Sequence, residues 1–369
     1  MKITRILSIT IMLATSLLSM PSQAAIDADA SVVKLRTSCQ VAGNPLDNCF
    51  TDLNTLNAWI WQTRNPTPSS ASPLRVDIGP GTFTGQFSCT SAGYVTLRGS
   101  GMGVTVIQNG SMPISTLHCD NMVFSHLTVK NTQTLFGVRN LGGSTFWDSV
   151  EIDGLGYAWF DSPGACNGGT PGSHHFFNSR IIAHTAGVSD TAVFNACDAT
   201  WLIGSEITSI GASGAQVMPI EAVGGEVHVY GGNIRTLTDG NVSTAFMVAA
   251  KSVGNTEIHI HGTGIDVISQ GPNDITALTA SDGGLIHANA SAYVLKTASG
   301  GSVTRIANSG GTVWAPYVWQ PSANPPAITS ANGADTAVIT GTADGHPHMV
   351  IYDVSCASSW FDSTTGTCH

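Results

Sequence analysis

The sequence is short of charge. Only 10% of its 369 residues are Asp, Glu, Lys or Arg, against roughly a quarter in an ordinary soluble domain. Basic residues are the scarcer kind: 14 Lys and Arg stand against 24 Asp and Glu. That balance excludes the basic stripe that nucleic-acid binding requires. It also disfavours a polyanionic ligand unless a cation or a local arginine cluster mediates the contact. Past Leu18 no apolar run is long enough for a membrane helix. No C-x-x-C pair is joined by a second cysteine or histidine pair, so the spacing offers no metal site of the zinc-finger kind.

The first residues read as a leader. Lys2 and Arg5 precede the apolar run Ile6–Leu18, and Ser22-Gln23-Ala24 supplies a small-x-small cleavage site. A signal peptide over 1–24 implies a secreted or periplasmic protein with no membrane span in the mature chain. Cysteine usage agrees: eight residues, none in the leader, imply disulfides in an oxidising compartment. Chain order suggests neighbours as partners: Cys39–Cys49, Cys89–Cys119, Cys166–Cys197 and Cys356–Cys368.

What is abundant is glycine, 41 residues, and it accompanies a repeat. Val227-His228-Val229, Ile258-His259-Ile260, Ile286-His287-Ala288 and Val313-Trp314-Ala315 align, each after a glycine-containing turn. Their middle residues are 31, 28 and 27 apart. Such a period means one supersecondary unit per repeat, stacked on its neighbours. Alternation of apolar and polar positions makes the unit a coil of strands rather than helices, and glycine supplies its corners. The segments Met122–Val129, Thr145–Ile152, His175–Ile182 and Thr200–Ile207 extend the pattern upstream, with Asp148, Asn178 and Gly204 aligned at a turn.

Before the repeat, Leu53, Leu56 and Ile60 lie on one helical face behind Thr51 or Asp52 as N-cap. Such a helix suits a lid over the open first coil. The order of that helix, then Val76-Asp-Ile-Gly-Pro-Gly-Thr-Phe83, Val95-Thr-Leu-Arg-Gly-Ser-Gly101 and Thr105-Val-Ile107, resembles the opening of the pectin-lyase-like superfamily. The resemblance covers about residues 50–320. It implies an all-β, right-handed parallel β-helix with an N-terminal capping helix. The expected divisions are 25–73 for the N-terminal segment and helix, 74–319 for the β-helix, and 320–369 for a C-terminal cap stapled by Cys356 and Cys368. The superfamily holds lyases, hydrolases, esterases and non-enzymatic surface proteins, so fold alone does not give function. None of the enzyme signatures is intact. His261-Gly262 is only a fragment of a G-H-G motif, and no catalytic residue carries over.

Two constellations remain. Glu151, Arg180 and Glu206 fall at equivalent outward positions, with Asp148 and Asp153 beside Glu151. A glycosidase needs two carboxylates roughly 5–10 Å apart, and a lyase needs a base with Arg or Ca2+ to neutralise a substrate carboxylate. Asp148, Glu151, Asp153 and Arg180 are therefore the catalytic candidates. Tyr157 and Trp159, in an expected loop over 154–172, would form a sugar-binding wall. The alternative is a solvated ladder of offsetting charge. The second constellation is the stripe His228, His259, His287 and Trp314, which suits a glycan contact, a transition metal, or a plain solvent-side stack of rings. The chain thus reads as an exported β-helix that binds or cleaves an extracellular polysaccharide or cell-surface glycan, as a lyase or hydrolase. No cofactor is expected, apart from Ca2+ in the lyase case. The other reading is a non-enzymatic surface, adhesin-like or spike-like protein.

Overall fold

The computed structural model describes residues 31–41, 44–45, 48–133, 135–162, 172–184, 190–238, 240, 242–244, 246–289, 292–298 and 301–314, together with the backbone of short strands between 329 and 368. The chain coils as a right-handed parallel β-helix, the hand that parallel crossovers adopt almost without exception. Three parallel sheets form its faces.

The first sheet begins at Ser31–Leu35, which pairs in register with Leu74–Ile78. It continues through Val95–Arg98, Met122–Ser125, Ser144–Asp148, Ser173–Phe177, Ala199–Ile203, Glu226–Tyr230, Glu257–His261 and Leu285–Asn289 to Thr312–Trp314. The parallel face therefore starts ahead of the expected boundary at Leu74. The second sheet runs from Gly81–Thr84 to Ala292–Lys296, and the third from Phe87–Thr90 to Val303–Ser309, with Thr329–Ser330 paired beyond it.

Glu151–Asp161 belongs to both of the latter sheets. Its first half pairs with Thr128–Asn131 and Arg180–His184, and its second half with Leu135–Leu141 and Asp190–Asn195. This corrects the expected loop over 154–172. Residues 154–161 are strand, because Gly156 takes φ +95° and lets the chain turn the corner without leaving the ladder. Residues 163–171, Cys166 among them, lie outside the described residues.

A strand presents alternate residues to opposite sides, and the inner side of the first sheet is one apolar column. Val76, Leu97, Phe124, Trp147, Phe176, Leu202, Val229, Ile260 and Ala288 succeed one another in register. All are fully buried. Phe124 stacks on Trp147 at 4.0 Å, and Trp147 on Phe176 at 5.7 Å. The column is bulky and aromatic in the middle coils and aliphatic beyond them.

The corner between first and second sheets is made each time by one residue in the left-handed region: His126, Ser149, Asn178, Gly204 and Gly231. The equivalent of Asn178 is therefore Ser149 rather than Asp148. Asp148 aligns with Phe177 and still belongs to the first sheet.

The helix Leu53–Ala58 is capped by Asp52, whose Oδ1 accepts from the Thr55 amide at 2.7 Å. Leu53, Leu56 and Ile60 are buried as expected. Asn54 Oδ1 accepts from the Gln86 amide at 3.1 Å, and Asn57 Oδ1 from the Ser88 amide at 3.0 Å. The helix thus satisfies part of the open edge of the first coil's third strand.

The disulfides Cys39–Cys49 and Cys89–Cys119 are formed. Cys197 is disulfide-bonded as well, while the expected Cys356–Cys368 bridge lies outside the described side chains. Among the described residues no helix is long and apolar enough to cross a membrane.

Candidate functional site

The expected stripe is real, and longer than the sequence suggested. His228 aligns with His259, His259 with His287, and His287 with Trp314. Trp314 is placed by its backbone alone. Upstream, Trp201, His175 and Phe146 occupy the same column. Ring centroids are 5.2 Å apart for Phe146–His175, 6.0 Å for His175–Trp201, 3.9 Å for Trp201–His228, 4.7 Å for His228–His259 and 5.0 Å for His259–His287. The planes are within about ten degrees of parallel. Successive rings therefore cover each other's faces; Phe146, Trp201, His259 and His287 are half-buried, and His175 and His228 are buried.

Two columns flank this one. On one side Glu226 and Glu257 are neighbours in register. Each carboxylate lies 3.0 Å from the Nε2 of the histidine two residues on, Glu226 from His228 and Glu257 from His259. On the other side stand Asp148, Phe177, Ile203, Tyr230 and His261, with Tyr230 and His261 stacked at 5.1 Å.

Packing has an electrostatic cost for this face. Burial pulls His175 down to about 4, with His174 and His228 adding to the effect. Burial likewise lowers His228, His261 and His287, because a desolvated ring resists charge. Burial raises the Tyr230 phenol. At neutral pH these rings are uncharged donors and acceptors.

The carboxylate constellation is also in register, Glu151 opposite Arg180 and Arg180 opposite Glu206. It forms a ladder of alternating sign. Arg180 Nη1 is 2.6 Å from Glu151 and its Nε 3.5 Å from Glu206, and Arg235 then bridges Glu206 at 3.3 Å and Asp266 at 3.5 Å. Asp153 is held between Lys130 at 2.5 Å and His184 at 3.2 Å. Burial alone would raise its carboxyl, but hydrogen bonds from His184 and Lys130 outweigh it and hold the group low. Asp148 accepts from the Ser149 hydroxyl at 3.2 Å, around the corner from the ladder. The structure thus pairs Glu151 with Arg180, ties Asp153 to Lys130 and His184, and leaves Asp148 on the ring face.

Of the expected sugar wall, Tyr157 is half-buried on the outside of the third sheet, near Phe136, Phe160 and Phe194. Trp159 is a correction. It points inward, fully buried, packed edge-on against Trp147 at 5.7 Å and Phe176 at 5.0 Å. Ala158 and Trp159 are both inside, so the alternation that runs from Glu151 breaks between them.

His174 and His175 point to opposite faces, as adjacent strand residues must. His175 joins the ring column, while His174 enters a buried corner with Asn140, Asp161 and Asp198. Sequence reasoning missed this corner because Asp161 was assigned to a loop. The available signal was a polar residue ending successive strands of the third sheet: Asn140 opposite Asp161, and Asn195 one coil on.

No family model matches this chain, and no curated protein matches it. Two solved structures are similar in part: the A-modules of the mannuronan C-5 epimerases AlgE6 and AlgE4 of Azotobacter vinelandii. They are 13% and 12% identical, with TM-scores of 0.29 and 0.30. Each alignment covers 71% of this chain and 92% of the other. Scores of this size place no residue of one chain on the other. The chain is placed by its own strand order, as a right-handed parallel β-helix.

Proposed function

We propose that this is an exported glycan-binding β-helix protein whose contact surface is the outer face of the first sheet. The observation that carries the reading is the unbroken outward column from Phe146 to His287, bordered by Glu226, Glu257, Tyr230 and His261. A linear polymer laid along the helix axis would meet the same kinds of group once per coil, about every 4.8 Å. Carbohydrate recognition wants rigid apolar surface with a few fixed polar groups. The stacked rings are rigid, their edges carry imidazole nitrogens, and the carboxylates accept hydroxyl hydrogen bonds.

Binding is proposed rather than cleavage because the candidate carboxylates Glu151 and Asp153 already serve ion pairs. Glu151 is held by Arg180, and Asp153 by Lys130 and His184. Export is supported by the leader over 1–24 and by disulfides, which form in oxidising compartments. The test is binding of the mature chain to a panel of neutral and acidic polysaccharides, read by affinity electrophoresis and by tryptophan fluorescence, with product analysis in parallel. Retention by at least one polysaccharide, weakened tenfold or more by His259→Ala, is expected. Retention by none, or retention that His259→Ala leaves intact, rejects the face.

A further inference from the structure

The buried corner beneath the ring face holds a second arrangement that the glycan reading does not use. Asn140, Asp161, His174 and Asp198 are 0–1% exposed, and each uses one side-chain atom to hold the fold. Asp161 Oδ2 accepts from the amides of Ala196, Cys197 and Asp198 at 3.1, 2.9 and 3.0 Å. Asp198 Oδ1 accepts from the Gly172 amide at 2.6 Å. His174 Nδ1 lies 2.9 Å from Thr145 Oγ1, itself fixed by the Trp147 indole N–H at 2.8 Å. One end of the Asn140 amide meets Thr116 Oγ1 at 2.8 Å.

The remaining four atoms converge. The inner amide atom of Asn140 is 3.3 Å from Asp161 Oδ1, 2.9 Å from His174 Nε2 and 3.1 Å from Asp198 Oδ2. His174 Nε2 is 2.9 Å from Asp198 Oδ2.

With both carboxylates ionised, no placement of protons gives every close pair a donor and an acceptor. If His174 Nε2 carries hydrogen, it faces the Asn140 NH2. If it does not, it faces a carboxylate oxygen as a second acceptor. Turning the Asn140 amide over puts its oxygen against both carboxylates. The turned amide does leave Thr116 a good acceptor, and then all four inner atoms are lone-pair donors.

We infer that Asn140, Asp161, His174 and Asp198 form a structural site for a small divalent transition-metal ion, with three oxygens and one imidazole nitrogen as ligands. Zinc with such ligands has bonds of about 2.0–2.2 Å, which sets tetrahedral ligand atoms about 3.3 Å apart. The four separations given need only slight expansion to reach that, and the ligand atoms of Asp161, His174 and Asp198 all lie within 4.8 Å of one another. Two carboxylates also carry the charge that a divalent ion neutralises, in a place where uncompensated charge is costly. One imidazole among oxygen ligands suits Zn2+ or Mn2+. The site differs from the cysteine-based kind that the sequence excludes, since its ligands come from separate coils. It secures the middle coils, where the core is bulkiest.

The ligands are inaccessible in the folded chain, so the ion must enter during folding. The test is to refold the full chain with its disulfides intact, in chelator alone or with Zn2+, Mn2+ or Ca2+, and to measure bound metal and the melting midpoint after gel filtration. About one Zn2+ or Mn2+ per chain, with a higher midpoint than in chelator, is expected. His174→Gln should lose the ion, and His175→Gln, one residue away on the outer face, should keep it. Should His174→Gln not fold, X-ray absorption of the loaded wild-type chain decides. A first shell of oxygens with one imidazole supports the site, and any other shell overturns it. A chain that refolds metal-free with its midpoint unmoved, or that holds as much metal in His174→Gln, means a proton rather than a metal joins these groups.

Discussion

The outer faces of the first and second sheets meet one constraint in two ways. In a parallel coil each residue sits on its equivalent in the next coil, about 4.8 Å away. On the second sheet the outward residues are charged, and the signs alternate: Glu151, Arg180 and Glu206 succeed one another in one column, and Arg235, in the neighbouring column opposite Asp266, reaches across to Glu206. On the first sheet the outward residues are rings, and like may follow like: His228, His259, His287. Identical neighbours are tolerated there because stacked rings pack face to face, and burial disfavours charge on His228 and His287. The one like-charged step on that face, Glu226 beside Glu257, is offset by the Nε2 atoms of His228 and His259 at 3.0 Å. A charge ladder therefore satisfies itself, whereas the ring ladder keeps the half-exposed carboxylates of Glu226 and Glu257 beside its rings for a ligand.

The largest effect should come from inside, where neither solution applies. Trp159→Ala removes a fully buried indole and should cost about 3–5 kcal/mol in urea unfolding. Trp201→Ala removes a half-buried ring of the outer column and should cost clearly less. Equal losses would mean that the outer column is as much core as the inner one.

Acid should come next. The unfolded chain protonates its histidines near 6.5, but His175 titrates at about 4 in the fold and His228, His261 and His287 are also lowered. Between those values the unfolded state binds more protons, so stability falls as pH drops from about 7 towards 4. His175 alone contributes up to about 3 kcal/mol of that loss. His175→Gln should flatten the profile. A profile flat over this range in the wild type would show that the ring column is charged or loosely packed.

Arg180→Glu would place three carboxylates in a row on the second sheet. It should cost about 1 kcal/mol at low salt and less at high salt, since these groups are partly exposed. Thermal melts at two ionic strengths check it, and a salt-independent loss would mean that the ladder is not electrostatic.

These contrasts also mark how far the sequence could be read. The coil, the capping helix behind Asp52 and the register of His228, His259 and His287 were legible, because strand alternation and a repeat near 28 residues are written in residue type. The pairing of Glu151, Arg180 and Glu206 was legible for the same reason. The upstream half of the ring column was not. Phe146, His175 and Trp201 are chemically unlike one another, so only backbone register shows that they stack. Trp159 was misplaced because residues 154–172 read as a loop, whereas 154–161 are strand and the alternation breaks between Ala158 and Trp159, turning the indole inward. The corner of Asn140, Asp161, His174 and Asp198 draws on residues up to 58 apart, which no local pattern joins.

The most direct test of the account sets the two faces against each other. The mature chain, Trp201→Ala and Arg180→Ala are titrated with whichever polysaccharide the wild type retains, and Kd is measured by calorimetry. The account predicts that Trp201→Ala weakens binding tenfold or more while Arg180→Ala leaves it within about twofold. Loss of binding in Arg180→Ala with Trp201→Ala unaffected would contradict it and move the contact to the charge ladder.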